Sequence, residues 1–148
     1  MSRSRNMPIY ASDKQLYACF EQLFAAIEGH DPKAANALLK SSLAIRFDCV
    51  APAASITIDA RRAPVAVRYG PNEVKPTIEI GLTADTLHCL LLGAIRLGKA
   101  VGSDLLDMKG PVWKALALAD LFRHAQQLYP AVLAEHQLPA VCPEATRA

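Results

Sequence analysis

The hydrophobic pattern along the first half of the chain changes from helical to strand-like at Leu43. Between Ser12 and Glu28, apolar residues recur at steps of three and four positions, which predicts an amphipathic helix with Ser12 as its cap. A second, shorter helix is predicted to begin at Asp31, where a proline follows the capping residue. From Leu43 to Leu82, apolar and polar residues alternate in four segments separated by short turns. These segments predict strands with one buried face, and their short connections predict an antiparallel meander.

Beyond these strands the chain carries a helix that is apolar around most of its circumference. Thr83 can cap this helix, which is predicted from Ala84 to Leu92 and is expected to be buried on more than one side. Three glycines then interrupt the apolar pattern: Gly93, Gly98 and Gly102. A segment punctuated in this way is predicted to be mobile.

Two more elements are predicted before the chain ends. A short edge strand is expected from Leu105 to Met108. A last helix is expected from Pro111 to Pro130, with apolar residues over more than half of its circumference. The apolar face of the sheet needs the helices as a cover, so the predicted fold class is α+β.

The length and composition of the chain favour one folded domain. Its 148 residues are 52% hydrophobic and 20% charged, a balance that excludes global disorder and leaves enough apolar surface for a single core. The predicted domain occupies residues 12–138, between a flexible N-terminal segment at residues 1–11 and a loose C-terminal tail at residues 139–148.

Charge and hydrophobic length argue against nucleic acid binding and against a membrane span. Lys and Arg together number 16 and Asp and Glu 14, so the net charge is +2, too small for a protein that neutralises several phosphates. The longest apolar stretch, Leu87 to Leu97, is about half of the roughly 20 residues that span a bilayer. The basic N-terminus is not followed by an apolar signal region, so we expect a cytoplasmic protein.

Candidate catalytic and metal-ligating residues form no recognisable motif. The four cysteines stand at least 30 residues apart without a C-x-x-C pair, so we expect reduced thiols. The four histidines lack an H-x-x-x-H pair and are expected to be solvent-facing or incidentally packed. Solvated turns are the favoured interpretation for the acidic and basic pairs Asp104 with Asp107 and Arg61 with Arg62. The sequence therefore predicts no catalytic residue, no metal site and no cofactor.

The apolar residues between Leu87 and Leu128 exceed what the predicted helices need to cover the sheet. Such a surplus can belong to an ordinary core, to a subunit interface or to the wall of a ligand cavity. The pattern alone ranks ordinary core first and leaves the other two open.

Several local sequences, taken in their order along the chain, carry a likeness to a known family. They are Thr83-Ala84-Asp85-Thr86-Leu87 at a helix start, Leu92-Gly93 before the glycine-punctuated segment, Leu106-Asp107-Met108-Lys109-Gly110 at the edge strand, and Leu116 to Phe122 in the last helix. With two helices and a four-stranded meander before them, these sequences resemble the sterol carrier protein type-two family of lipid-binding domains. The resemblance covers about Leu16 to Leu128.

The resemblance implies a five-stranded, mostly antiparallel sheet covered on one face by helices, with a hydrophobic tunnel between the two layers. It implies a protein that is not an enzyme and that binds and carries a sterol, a fatty acyl chain or another lipid inside the cell. The expected lining residues come from the elements that the family folds around its tunnel: Leu87, Leu91, Ile95, Leu106, Met108, Trp113 and Leu116.

Two other functions compete with the lipid carrier. The first is a homodimeric interaction or scaffold protein whose apolar helices form the subunit interface. The second is a small α+β enzyme with His88, His124 or Asp120 as the acid or base in a pocket. A transient contact of the carrier with an anionic membrane would use Arg3, Arg5, Arg61 and Arg62, although a solvated surface is the favoured interpretation for these residues.

Overall fold

The helices and strands form at nearly the positions that the hydrophobic pattern predicts. A computed structural model of the protein describes residues 8–143. The elements in chain order are α1 (Asp13–His30), α2 (Asn36–Ser41), β1 (Ala44–Val50), β2 (Ala54–Asp59), β3 (Ala66–Tyr69), β4 (Ile78–Thr83), α3 (Ala84–Leu92), α4 (Leu97–Val101), β5 (Asp107–Lys109), a 3₁₀ helix (Val112–Leu118) and α5 (Ala119–Glu135).

The two N-terminal helices show how capping decides where a helix begins. The side chain of Ser12 accepts a hydrogen bond from the backbone N–H of Gln15, so α1 begins as predicted. α2 begins later than predicted, at Asn36. The backbone N–H of Ala34 donates to Asp31 and that of Asn36 donates to Lys33, so the chain forms tight turns before the helix.

The five strands form one sheet in the order β3-β2-β1-β4-β5. Three of its strand pairs are antiparallel, whereas β1 and β4 are parallel, so the sheet is mixed and mostly antiparallel. The predicted four-strand meander is therefore wrong for β4, which lies beside β1 and not beside β3. The connection before β4 crosses β2, where Asn72 donates to Thr57 at 3.1 Å. The N–H of Thr77 then donates to the carbonyl of Ala44 at 2.7 Å, and this contact sets β4 beside β1.

The sheet has one apolar face and one charged face. The inner face is made of isoleucines and Phe47 in the central strands, and Phe47 stacks on Phe122 of α5 with ring centroids 6.3 Å apart. On the outer face, Arg46 contacts Asp48 at 3.2 Å and Glu79 at 2.7 Å. The alternation within β1 thus directs apolar side chains toward the helices and charged side chains away from them.

The second half of the chain departs from the prediction in two places. The glycine-punctuated segment contains α4, a short helix that the pattern did not predict and whose Ala100 is buried. The single helix predicted from Pro111 to Pro130 is a 3₁₀ helix followed by α5, which continues past Pro130 to Glu135. Pro130 is exposed while its neighbour Tyr129 is buried, so core packing holds the helix together across the lost hydrogen bond.

Residues outside the predicted domain bounds of 12–138 pack against that domain. Tyr10 is buried in the core, and Cys142 is buried and forms a disulfide with Cys89. The expectation of four reduced thiols is therefore wrong for this pair, because a separation of 53 residues gives no local sequence signal. Cys19 and Cys49 are free and buried. Within residues 8–143, no helix combines the length and the apolar character that crossing a membrane requires.

Candidate ligand-binding region

The apolar layer under α3 is tightly filled. Leu87 and Leu91 of α3 are buried, and Leu91 faces a void between α1, α3 and α5 of about 10 Å³. A water molecule needs roughly 10–15 Å³ of such volume, so a lipid has no room there without a movement of the helices. The hydrophobic tunnel expected between sheet and helices stays a prediction.

An open cleft lies next to this filled layer, at residues 94–105. Its volume is about 720 Å³, within the roughly 300–1,000 Å³ typical of small-molecule sites. The apolar part of the wall comes from Ala94, Ile95, Ala100 and Leu105, and the polar part from Arg96, Lys99, Gly102, Ser103 and Asp104.

Local backbone contacts explain why the cleft forms at the end of α3. Gly93 ends the helix with φ +81°, a backbone conformation that favours glycine, and a Cβ atom there would displace the side chain of Gln126, which lies 2.6 Å away. At the other side of the cleft, the hydroxyl of Ser103 donates to the carbonyl of Ala100 at 2.9 Å. It also accepts from the N–H of Leu105 at 3.2 Å. These bonds fix the turn from α4 toward β5.

The polar side of the cleft is positively charged. Arg96 and Lys99 are exposed and form no salt bridge with another described residue, and the same holds for Asp104. Two cations and one carboxylate leave the cleft with one net positive charge. No group of three or more His, Cys, Asp or Glu residues suited to a metal ion occurs between residues 8 and 143.

The seven residues expected to line a tunnel fall into three groups. Leu87, Leu91 and Leu106 belong to the buried core. Ile95, which lines the cleft, and Met108, which lies opposite Ile80 on the inner face of the sheet, are half-buried. The remaining two, on the 3₁₀ helix, point toward solvent: Trp113 is 68% exposed and Leu116 is 49% exposed.

The exposure of Trp113 and Leu116 follows from the change of helix type. Residues three apart lie directly above one another in a 3₁₀ helix, so this pair shares one face while Ala115 and Leu118 are buried. The prediction used a period of 3.6 residues for the whole segment and placed both side chains in the covered stripe. The Nζ atom of Lys114 lies 5.5 Å from the centre of the Trp113 ring, within the range of a cation–π contact.

His88 is not solvent-facing but fully buried, with 0% exposure. Its Nδ1 atom is 2.7 Å from the hydroxyl of Tyr129, and its Nε2 atom is 3.0 Å from the carbonyl of Val141. The hydroxyl of Tyr129 is also hydrogen-bonded to that of Tyr10. Burial lowers the pKa of His88 and raises the pKa of both tyrosines. Neither ring nitrogen is free to accept a proton from a substrate.

The other two acid or base candidates have structural partners as well. His124 contacts the backbone carbonyl of Asp120 at 2.8 Å and the carboxylate of Asp31 at 3.1 Å. The carboxylate of Asp120 pairs with Arg123. These contacts hold α5 against the end of α1.

The remaining candidates occupy turns or the surface. Arg61 forms a salt bridge with Asp59 at 2.8 Å, and the hydrogen bonds from Arg61 lower the pKa of Asp59 to about 2. Arg62 and Asp104 are exposed and lie in a bend and a turn, as expected for solvated turns. Asp107 is also exposed, but it belongs to β5 and lies opposite Gly81 of β4, so the turn prediction is wrong for this residue.

Comparisons with known proteins agree with this architecture. Residues 20–123 match the SCP-2 sterol transfer family. The apo form of sterol carrier protein 2 from Yarrowia lipolytica matches with a TM-score of 0.54 and 24% identity, over 70% of this chain and 88% of that chain. The sterol carrier protein domain 2 of Helicoverpa armigera matches with a TM-score of 0.55 and 21% identity, over 73% of this chain and 87% of that chain. No curated protein sequence matches the chain.

Proposed function

The chain belongs to the SCP-2 sterol transfer family, and on that premise we propose that it binds and carries a lipid or sterol-like molecule inside the cell without catalysing a reaction. The observation that carries the proposal is the cleft at residues 94–105, which has the volume of a ligand site and an apolar wall. A lipid needs no directed polar contact to bind such a wall. Burial of about 16 methylenes at roughly 0.8 kcal/mol each would contribute about 13 kcal/mol before the ordering costs.

The apolar part of the ligand would start on the cleft wall and extend toward the core. Leu105 lines the cleft, and the next residue, Leu106, is buried. Met108 follows on the inner face of the sheet. The apolar surface therefore continues from the cleft toward the filled layer under α3. A ligand would enter this layer only if one of the helices that cover the sheet moved.

The 3₁₀ helix is the element best suited to such a movement. It packs against α2, α4 and α5, and 3₁₀ segments have weaker hydrogen-bond geometry than α-helices and often mark hinges. Closure of this helix on a ligand would bring Trp113 and Leu116 out of water. We therefore keep all seven lining candidates as a proposal, with Ile95 and Leu105 as the first contacts.

Ligand uptake by purified protein tests the carrier function. Protein purified without detergent is examined by native mass spectrometry for a bound lipid, and delipidated protein is titrated with a fluorescent fatty acid and a fluorescent sterol. Ile95→Trp should weaken uptake because the indole ring occupies the cleft. Val50→Trp is the matched control, since Val50 is 57% exposed and lies outside the cleft. Wild-type protein that carries no lipid and takes up neither probe would overturn the proposal.

The filled layer under α3 and the exposed pair Trp113 and Leu116 also favour the second function, a homodimeric interaction protein. Sedimentation equilibrium separates the two. A tight dimer that dissociates on substitution Trp113→Ser, in a protein that takes up no lipid, would support the interaction protein. A monomer that binds a probe would support the carrier.

A further inference from the structure

We propose that Cys89 and Cys142 are a redox-active pair whose disulfide fastens the C-terminal strap, residues 138–143, over α3, and whose reduction by a dithiol releases the strap and opens the way from the cleft to the core. The effect on ligand entry rests on the proposed lipid-binding function. The release of the strap is independent of that function and can be measured without a lipid.

α3 depends on the strap for part of its cover. Almost all residues of α3 are buried, including the polar His88. The side of the helix that carries His88 and Cys89 faces the strap, since Nε2 of His88 lies 3.0 Å from the carbonyl of Val141 and Cys89 is bonded to Cys142. Departure of the strap would therefore expose this side of α3 to solvent.

The strap has few other attachments to the rest of the protein. It contains neither helix nor strand, and its residues 139–141 are exposed. The N–H of Leu138 donates to the carbonyl of Leu133 at 2.9 Å, which fixes the start of the strap. Beyond Leu138, the hydrogen bond between Val141 and His88 and the disulfide are its connections to the other described residues. Because terminal segments are poorly ordered unless they are tied down, the disulfide is the bond that keeps the strap in place.

The disulfide also lies next to the wall of the cleft. The carbonyl of Cys89 accepts hydrogen bonds from the N–H of Ala94 at 3.0 Å and from that of Ile95 at 3.4 Å. Ala94 and Ile95 line the cleft. The strap, the end of α3 and the cleft wall are thus joined through one residue. Reduction would let the end of α3 shift and widen the path from the cleft to the filled layer beneath it.

The chemistry is thiol–disulfide exchange. Cys142 is 6% exposed and Cys89 is 0% exposed, so the reductant reaches the Sγ atom of Cys142 first. A thiolate of the dithiol attacks this atom, the protein disulfide breaks, and Cys89 leaves as a thiolate that takes up a proton. The second thiol of the reductant then resolves the mixed disulfide and releases Cys142 as a thiol. Two electrons and two protons pass to the protein, and the dithiol becomes a disulfide.

The reactivity of the cysteines toward iodoacetamide tests the release of the strap. The oxidised protein is prepared with oxidised glutathione, and the reduced protein with dithiothreitol, which is removed under argon before labelling. Cys19 is the internal reference, because it is buried and burial raises its pKa to about 11. After reduction, Cys89 should react at least about tenfold faster than Cys19, since local opening exposes one thiol whereas global unfolding exposes both.

The opposite results are equally clear. A Cys89 thiol that reacts as slowly as Cys19 would show that the reduced strap stays in place. Rapid reaction of both thiols would show that reduction unfolds the whole protein. Either result, or a failure of the oxidised protein to form the bond, would overturn the proposal.

Uptake of a fluorescent fatty acid by the two redox states tests the effect on ligand entry. The reduced wild type should take up the probe about tenfold faster than the oxidised wild type, because opening of the helix precedes entry. Cys142→Ser should take it up rapidly with or without dithiothreitol. Val141→Ser is the matched control, since it alters an exposed side chain of the strap and keeps the disulfide, and it should respond to reduction as the wild type does.

The two wild-type states share one sequence, so the comparison does not depend on the folding of a variant. Equal uptake by both states would overturn the redox control of entry and leave the carrier function standing. Absence of uptake in both states would count against the carrier, while the reactivity of Cys89 would still decide whether the disulfide holds the strap.

Discussion

The Nδ1 atom of His88 lies 2.7 Å from the hydroxyl oxygen of Tyr129, and both side chains are inaccessible to solvent. The other ring nitrogen faces the carbonyl of Val141, which can only accept, so the proton of a neutral ring belongs on Nε2. Tyr129 then donates to Nδ1 and accepts from Tyr10. Every side-chain polar atom in this hydrogen-bond network has a partner. The network connects α3 and α5 to Tyr10 near the start and Val141 near the end of the described residues.

The first prediction concerns the dependence of stability on pH. Burial lowers the pKa of His88, so the unfolded chain binds more protons than the folded protein once the pH falls below about 6.5. The contribution of His88 to stability is therefore fully present above that pH and is lost as the pH falls toward the depressed pKa. Urea unfolding between about pH 8 and pH 5 should show this loss, and the variant His88→Gln should show a shallower one. Equal slopes for the two proteins would contradict the assignment.

The second prediction concerns the two buried hydroxyl groups. Tyr129→Phe removes the hydrogen bonds of Tyr129 to Nδ1 of His88 and to the hydroxyl of Tyr10, whereas Tyr10→Phe leaves the bond between His88 and Tyr129 in place. An unsatisfied buried group costs about 1–3 kcal/mol, so Tyr129→Phe should lower the free energy of unfolding more than Tyr10→Phe does. The double variant should fall short of the sum of the two, since both substitutions break the same bond. Simple additivity would show that the hydroxyls act independently.

The third prediction concerns the Cys89–Cys142 disulfide. The bond closes a segment with a sequence separation of 53 residues, for which loop entropy predicts a contribution of about 4 kcal/mol. Cys142→Ser should lower the free energy of unfolding by up to that amount, and reductant should destabilise the wild type but not the variant. If reductant lowered the stability of both equally, the effect would not come from this bond.

The same disulfide gives a test of the cytoplasmic expectation. Disulfides persist in oxidising compartments and are rare in a reducing cytosol. Protein trapped with an alkylating reagent in intact cells and then denatured should show two reactive thiols if the bond is formed, Cys19 and Cys49, and four if the cytosol keeps all cysteines reduced. The structure predicts the count of two, which would contradict a cytoplasmic location, whereas a count of four would show that the cell keeps Cys89 and Cys142 reduced.

The sequence predicts individual elements of this fold better than the relations between them. The bounds of α1, α3 and the inner strands follow from apolar spacing and from the caps Ser12 and Thr83, which act within a few residues. The parallel pairing of β4 with β1 depends instead on the path of the connection over β2, and nothing within β4 specifies its neighbour.

The same holds for the candidate site: the sequence predicts which residues are apolar but not how they are arranged in space. The pattern identifies apolar residues of the second half, but it does not distinguish Leu87, in the core, from Ile95, on the cleft wall, because burial depends on how α4 turns away after Gly93. The cations of the cleft were missed for the same reason. The partners of His88 lie 41 and 53 positions away, so its environment leaves no local signal.

The last prediction concerns the 3₁₀ helix, and the single tryptophan of the chain makes it directly measurable. Trp113 is 68% exposed, so its fluorescence should be that of a solvated indole and acrylamide should quench it readily. If the helix closes on a bound lipid, dodecanoate should shift the emission to shorter wavelength and reduce the quenching. Leu116→Ser should weaken both the affinity and the shift, because Leu116 lies on the same face as Trp113. Val50→Ser, which removes an exposed apolar side chain outside the cleft, should change neither. A lipid that binds with no change at Trp113 would remove Trp113 and Leu116 from the site and confine the ligand to the cleft beside α4.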